Sequence, residues 1–296
     1  MARDGRRALR ATAGSAGDAL AAAVAALDAA GCETPRLDAE VLIADALGVD
    51  RAALISSPTR GVPTSAARLV GERVRRRVAR EPVAYILGRK GFRFIELAVD
   101  ARVMIPRPET ELLVEVALEL PRGARVHEVG TGSGAVALAL RSERPDLRVS
   151  ASDASPAAVE VARANARALD IELPLATEPG LPDPPGPPRP ACQPADERSS
   201  TPPRWDLVIA NLPYVAEGEV SALAPEIRAH EPREALVAGP GGLDAIRELA
   251  AQAPSGTSLA LEHAPNQAQA VRALLHEAQT RRDLAGRERV TIGRAR

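Results

Sequence analysis

Residues 124–153 read ARVHEVGTGSGAVALALRSERPDLRVSASD, and the order of signals in that stretch decides the fold. ARVHEV (124–129) has the composition and alternation of a strand. It runs straight into Gly130-Thr131-Gly132-Ser133-Gly134, and an Ala/Leu-rich helix signal covers Ser133 to Arg141. A second strand, LRVSAS (147–152), ends beside Asp153. Strand, glycine loop, helix and strand in that order form a unit of parallel strands with a helical crossover. Glycines allow a tight turn and let backbone approach a ligand where a Cβ would intrude. The helix start behind them offers unpaired N–H groups. Asp153, nineteen residues beyond Gly134, sets a carboxylate where both hydroxyls of a ribose could donate to it. Candidate cofactor-binding residues are therefore Gly130, Thr131, Gly132, Ser133, Gly134 and Asp153.

The alternation continues outward. Pro156 to Leu169 predicts a helix, WDLVIA (205–210) a strand, GLDAIRELAAQ a helix and TSLALE (257–262) a strand. Asn266 to Gln279 predicts a further helix and RERVTI (287–292) a last strand. This is an α/β chain with a mostly parallel sheet and its ligand site at the carboxyl edge. The loop alone leaves the cofactor open. A P-loop needs a lysine that is missing here, whereas Gly130, Gly132 and Ala135 satisfy G-x-G-x-x-G/A. A dinucleotide fold and an S-adenosylmethionine-binding methyltransferase both use this geometry, and a purely structural glycine turn is the bland alternative. The loop points to a nucleoside-bearing cofactor without naming it.

Asn211-Leu212-Pro213-Tyr214 follows WDLVIA, the fourth strand by chain order, so it faces the same edge as the glycine loop. It resembles the [Asn/Asp]-Pro-Pro-[Tyr/Phe] signature of methyltransferases that alkylate planar, amide-like nitrogens. An amide nitrogen is a poor nucleophile because its lone pair is delocalised into the carbonyl. The Asn211 side-chain oxygen and the Leu212 carbonyl can accept the two N–H bonds of such a target, aiming its nitrogen. Tyr214 can offer a flat face. Asn211, Leu212, Pro213 and Tyr214 are thus the candidate catalytic and substrate-binding residues, with Asn211 also near the cofactor. An ordinary turn after a strand is the competing reading.

The chain has 296 residues, 45% of them apolar, and a formal net charge of -1, so no global field favours nucleic acid or membrane. Two cysteines and four histidines show neither a disulfide framework nor metal-ligand spacing. The basic, Ala-rich N-terminus is interrupted by Asp18 and Asp28, and no run of apolar residues is long enough for a membrane span. A cytoplasmic protein is expected, with no metal. Residues 17–80 predict short helices: Ala19 to Ala30, Leu37 to Leu47 after Pro35, and Thr64, as cap, to Arg80. The last carries Arg73, Arg75, Arg76, Arg77 and Arg80, a solvated face or, alternatively, a docking surface for an acidic or RNA-rich partner. Tyr85 to Val99 alternates, predicting a hairpin with its turn at Gly88 to Gly91. Thr110 to Leu120 predicts a helix. Residues 174–203 hold eleven prolines and predict an irregular insertion without regular pairing.

EPVAYILGRKGFRF, VMIPRPETELLVE, EVGTGSGAVALAL, ASDASPAAVEVARANA and PEIRAHEPREALVAGPGGLDAIREL together identify a resemblance over nearly the whole chain. It is to the protein-(glutamine-N5) methyltransferases of the HemK/PrmC, release factor type. The run Pro106 to Glu111, PRPETE, is far more specific than the glycine loop. The resemblance implies a Rossmann-like class I methyltransferase domain (106–296, with the Pro-rich insertion at 174–203), a β-hairpin bridge (83–105) and an N-terminal helical substrate-recognition domain (1–82). It implies S-adenosyl-L-methionine as cofactor and, as substrate, the glutamine of Gly-Gly-Gln in class 1 peptide chain release factors. It implies no membrane and no direct nucleic-acid substrate. Three departures stand out. Leu212 replaces the usual first proline, which keeps the carbonyl but frees φ. Glu128 stands where aspartate is more usual. The segment that helps hold the adenine, after the third strand, runs into the Pro-rich stretch and has no evident contact residue. Alternatives are a glutamine of another translation protein such as a ribosomal protein, adenine N6 methylation, and a non-enzymatic module whose Pro-rich segment docks a partner.

Overall fold

Ser15 and Asp18 start the first helix by capping one another. Asp18 N–H donates to Ser15 Oγ at 3.1 Å, and Ser15 N–H donates back to Asp18 Oδ2 at 3.4 Å. Such a capping box is worth about 1 kcal/mol to a helix end. The computed structural model describes residues 12–183 and 205–296. The chain divides into two units, residues 1–87 with 225–230 and residues 88–224 with 231–296.

The first unit contains strand β1 (Thr12–Ser15), helices α1 (Ala16–Ala29), α2 (Pro35–Leu47) and α3 (Arg51–Ser56), strand β2 (Gly61–Pro63), and helices α4 (Thr64–Val78) and α5 (Val83–Leu87). Pro35 opens α2, and Gly48 closes it in the left-handed conformation. Pro63, not Thr64, occupies the cap position of α4, and Thr64 is the first helical residue. The core of the unit mixes the small Ala16, Ala23, Ala39, Ala44 and Ala66 with Leu27, Ile43, Leu54 and Val70. Arg73, Arg76 and Arg77 of α4, and Arg80 after it, are paired inside the unit. Arg73 pairs with Asp45 at 2.6 Å and Arg76 with Glu81 at 2.5 Å. Buried Arg77 holds Asp38 and Glu226, each at 2.8 Å. Arg80 reaches the other oxygen of Glu226 at 2.7 Å. Burial opposes the charge on Glu226, but the two guanidiniums hold its carboxyl down at about 2. Four of the five arginines of the run are thus paired with carboxylates, and Arg75 is exposed, donating to the Gly71 carbonyl at 3.2 Å.

The second unit opens with strands β3 (Arg89–Phe92) and β4 (Ile95–Ala98), then a 3-10 turn (Pro108–Thr110) and helix α6 (Glu111–Leu118). Strand β5 (Arg125–Val129), helix α7 (Ala135–Glu143), strand β6 (Arg148–Asp153), helix α8 (Pro156–Ala168), and strands β7 (Leu175–Thr177) and β8 (Leu207–Ala210) follow. Helix α9 (Pro225–His230) belongs to the first unit. The chain ends with helix α10 (Asp244–Gln252), strand β9 (Ser258–Glu262), helix α11 (Ala268–Arg272), and strands β10 (His276–Arg282) and β11 (Glu288–Arg294). Seven strands form one sheet in the order β10-β11-β9-β8-β5-β6-β7. β5 to β9 are parallel; β11 runs antiparallel to β9, and β10 to β11. Alternate residues of β8 feed opposite faces: Leu207 and Ile209 join the core that includes α6 and α7, and Val208 and Ala210 the core that includes α10. Each large aliphatic side chain so buried contributes roughly 1.5–3 kcal/mol.

Four local expectations need correction. Tyr85, Ile86 and Leu87 are helical, because Pro82 caps a turn that closes with Ile86 N–H on Pro82 O at 3.0 Å. The hairpin turns instead at Arg93 and Phe94, Arg93 taking φ +47°, so Gly88 precedes β3 and Gly91 lies within it, opposite Glu96. The predicted helix 266–279 shrinks to α11, and His276 to Arg282 becomes a strand, because pairing with β11 overrides the helix propensity of Glu277, Ala278, Gln279 and the two arginines. The Pro-rich stretch is not wholly without pairing: Leu175–Thr177 is a strand parallel to β6. Residues 184–203 of that stretch lie outside the described residues. Among the described residues no helix is long and apolar enough to cross a membrane.

Candidate active site

The chain leaves β5 first toward β6 and β7, then returns to β8 and β9 on the other side. Loops leaving the carboxyl ends of β5 and β8 therefore diverge, and a crevice opens between them. A cavity of about 310 Å³ lies there, lined by the glycine loop, Asp153, Thr110 and the Asn211-Leu212-Pro213 segment.

The glycine loop is pinned from three sides. Gly130 and Thr131 N–H groups donate to Ser152 O at 2.9 and 3.0 Å. Gly132 N–H donates to Asp153 Oδ2 at 2.8 Å. Glu128 Oε2 accepts from the Thr131 hydroxyl at 2.7 Å and from Ala137 N–H at 3.0 Å. The carboxylate of Glu128 thus ties the loop to the helix behind it. Burial pushes its carboxyl up to about 8 despite those two donors. Two glycines are required sterically. Gly130 has φ +75°, and a Cβ on it would lie 3.0 Å from Leu212 Cδ2. Gly134 has φ +85°, and its Cβ would meet Leu138 Cδ1 at 2.8 Å and Ala162 Cβ at 3.3 Å. Close approach of Leu212 to Gly130 joins the two motifs read from the sequence.

Asp153 uses one lone pair of each oxygen on backbone: Oδ2 on Gly132 N–H and Oδ1 on Ser155 N–H, at 2.8 and 2.9 Å. A carboxylate has further acceptor capacity on both oxygens for a ligand's hydroxyls. Asn211 Nδ2 donates to Thr110 Oγ1 at 3.0 Å. Its Oδ1 is buried and meets no partner among the described residues. A buried acceptor left unpaired costs about 1–3 kcal/mol, which a ligand N–H would recover. Gly130, Thr131, Gly132, Ser133, Asp153, Asn211, Leu212 and Pro213 are therefore brought together.

Tyr214 and Gly134 do not line the cavity. The Tyr214 carbonyl accepts from Gln267 Nε2 at 2.8 Å, and burial, aided by the charge of Glu262, pushes its hydroxyl up to about 12. Gly134 serves as the left-handed cap of α7.

The cavity also takes residues that sequence reasoning missed. Pro179 and Gly180 form part of its wall. Gln252 Oε1 accepts from Leu181 N–H at 3.2 Å, and Trp205 Nε1 donates to Pro182 O at 3.2 Å, so the start of the segment following β7 is anchored. Thr110 stood inside the PRPETE run without an assigned role. Glu262 ends an otherwise apolar strand at the same sheet edge, a placement that could have marked it. Among the described residues no cluster of histidine, cysteine, aspartate and glutamate is arranged to hold a metal ion.

Sheet order, glycine loop and switch-point cavity define a Rossmann-like class I methyltransferase. Residues 108–181 match the family described as methyltransferase small domain, and residues 18–88 match the PrmC N-terminal domain. The chain is 38% identical to the release factor glutamine methyltransferase of Xylella fastidiosa over 92% of this chain and 97% of that one. It is 40% identical to the enzyme of the same name from Mycolicibacterium smegmatis, over 92% and 94%. The Rhodospirillum rubrum enzyme of that name is 36% identical over 91% and 82%. The chain belongs to the release factor glutamine methyltransferase family.

Proposed function

We propose that this protein methylates the side-chain nitrogen N5 of the glutamine in the Gly-Gly-Gln motif of class 1 peptide chain release factors. The observation that carries the reading is the buried, unpartnered Asn211 Oδ1 in the wall of a switch-point cavity. An acceptor with no internal partner fits a substrate that brings N–H groups. S-adenosylmethionine, when bound, supplies a methyl group activated by a sulfonium. The glycine loop and Asp153 suit its methionine and ribose parts, with hydroxyls donating to the carboxylate.

Asn211 Oδ1 accepts one N–H of the target amide and the Leu212 carbonyl the other. The nitrogen is thereby turned so that its lone pair, rather than an N–H, points into the cavity. As nitrogen gains positive character both N–H groups become better donors, so the two acceptors hold the developing charge more strongly than the resting amide. The Leu212 side chain packs over Gly130 and sets the distance between the two loops, in place of a proline ring.

A protein substrate rather than a nucleic acid is supported by the net charge of -1 and by the internal pairing of the α4 arginines. The test is methyl transfer to a purified class 1 release factor, read by mass spectrometry of the Gly-Gly-Gln peptide. Asn211→Ala should lose about 2.7–4 kcal/mol of transition-state stabilisation, roughly a hundred- to a thousandfold in kcat, by analogy with an oxyanion-hole donor. Binding of S-adenosylmethionine should change little. Near-wild-type turnover by Asn211→Ala would remove Asn211 from the reaction.

A further inference from the structure

An asparagine amide has two ends, and only one of them serves the target. If Asn211 presented its NH2 to the cavity, a donor would face the two donors of a glutamine amide. The backbone does not decide between these orientations, since a half-turn about the last side-chain bond exchanges oxygen and nitrogen. The decision falls to what stands behind the amide.

Behind it is Thr110, 4% exposed, in the 3-10 turn that precedes α6. Its hydroxyl accepts from Asn211 Nδ2 at 3.0 Å on one side, and on the other it faces the Glu262 carboxylate, whose charged form it favours. Glu262 is 1% exposed at the end of β9. A hydroxyl has one hydrogen to give. An ionised carboxylate only accepts, so it claims that hydrogen. Thr110 Oγ1 is then left with lone pairs alone toward Asn211, and only Nδ2 can satisfy them.

We propose that Thr110 and Glu262 are positioning residues for methyl transfer, whose hydrogen-bond chain locks the Asn211 amide with Oδ1 toward the target nitrogen. The chain is directional: Asn211 Nδ2 donates to Thr110, and Thr110 donates to Glu262. A protonated Glu262 reverses it. The acid hydrogen goes to Thr110 Oγ1, the threonine hydrogen turns toward Asn211, and the flipped amide offers Nδ2 to the cavity. The groups facing Glu262 are Arg107 and Glu109 from the segment before α6, Tyr214 after β8, and Arg289 on β11. Burial, the dominant influence, and Glu109 favour its neutral form, while the Thr110 hydroxyl and the two arginines favour the charged one. The balance puts its carboxyl at about 7. The switch between orientations thus falls near neutral pH, with the productive one on the alkaline side.

The proposal rests on the functional reading above, and two readouts keep their failures apart. The first is kcat for methylation of a Gly-Gly-Gln-containing release factor between pH 6 and 8.5. Wild type should rise through a midpoint near 7. Glu262→Gln, which imitates the protonated acid, and Thr110→Val, which deletes the hydroxyl, should each lose tenfold or more in kcat at pH 8 and lose the rise. Their dissociation constants for S-adenosylmethionine, measured by calorimetry, should stay within about twofold. Thr110→Ser should recover both rate and rise. A Thr110→Val variant with wild-type kcat and an unaltered pH profile would overturn the proposal.

The second readout uses wild-type protein without substrate. The side-chain 15N–1H2 signals of Asn211, assigned through their loss in Asn211→Ala, should titrate with the midpoint of Glu262. They should cease to titrate in Glu262→Gln. Signals that are unmoved from pH 6 to 8.5 in wild type would overturn the proposal even if either variant failed to fold. A protein that methylates no release factor but shows this titration would sink the functional reading and leave the orientation lock standing.

Discussion

Glu128→Gln isolates the electrostatic cost built into the glycine loop. The carboxyl of Glu128 lies at about 8 in the folded chain against an ordinary value of 4.5. Burial is the main cause, opposed by the Thr131 hydroxyl and Ala137 N–H. For a carboxyl raised in the folded state, its contribution to stability is complete below pH 4.5. It is then lost as pH climbs toward 8, because the unfolded chain ionises freely while the folded chain resists. A difference of about 3.5 pH units at 1.36 kcal/mol each amounts to roughly 5 kcal/mol. A glutamine retains a carbonyl oxygen able to accept the two hydrogen bonds that Glu128 Oε2 now takes, and it cannot ionise. The stability of the glutamine variant relative to wild type should therefore improve steadily between pH 5 and 8.5. Urea unfolding at a series of pH values, followed by the fluorescence of Trp205, measures this. That single tryptophan stacks at 4.9 Å on His127, the neighbour of Glu128 in β5. Because both proteins share every other titrating group, only the difference between them matters. Parallel pH profiles for the two proteins would show that Glu128 ionises in the fold as easily as in water, and the argument would fail.

Asp153→Ala should weaken S-adenosylmethionine binding about tenfold or more, with a smaller effect on kcat at saturation. It removes both the carboxylate and the anchor on Gly132 N–H, each such charge-assisted bond being worth about 1.5–3 kcal/mol. An unchanged dissociation constant by calorimetry would take Asp153 out of the cofactor site. Gly134→Ala should destabilise the second unit by about 2–5 kcal/mol, combining a left-handed backbone penalty of about 1–2 kcal/mol with overpacking against Leu138 and Ala162 of about 1–3 kcal/mol. A loss under 1 kcal/mol in urea unfolding would show that the neighbouring side chains yield.

Period and glycine placement revealed the parallel half of the sheet, because buried strands and crossover helices impose patterns within short windows. Val126 to Asp153 carries strand, loop, helix and strand with little interference. Antiparallel additions were harder to see. His276 to Arg282 contains no strong strand former except Thr280, and its state is set by pairing with β11, which follows it in sequence. The site divides in the same manner. Asn211 and the glycine loop announce themselves because their chemistry needs particular residue types at the ends of particular strands. Thr110 and Glu262 act through contacts that join residues a hundred or more positions apart in sequence, and no local pattern encodes such a meeting. Pro179 and Gly180 were hidden for the opposite reason. A strong compositional signal, eleven prolines in thirty residues, masked a short strand and the cavity wall that follows it.

The sheet's two outer strands bear on how this protein behaves at high concentration. An exposed strand margin is a template on which a second chain can add, the first step toward fibrous aggregation. Among the described residues one margin is β7, only three residues long, with Pro174 before it and Pro179 shortly after. A neighbouring chain would find almost no continuous row of N–H and C=O groups there. The other margin, β10, is long, but Glu277, Arg281 and Arg282 stud it, and its register slips at two points. Charge and irregular spacing make it a poor match for a partner strand. Concentrated solutions should stay free of β-rich assemblies as long as both margins keep these features. Replacing Glu277, Arg281 and Arg282 with valine should be enough to seed thioflavin-positive aggregates.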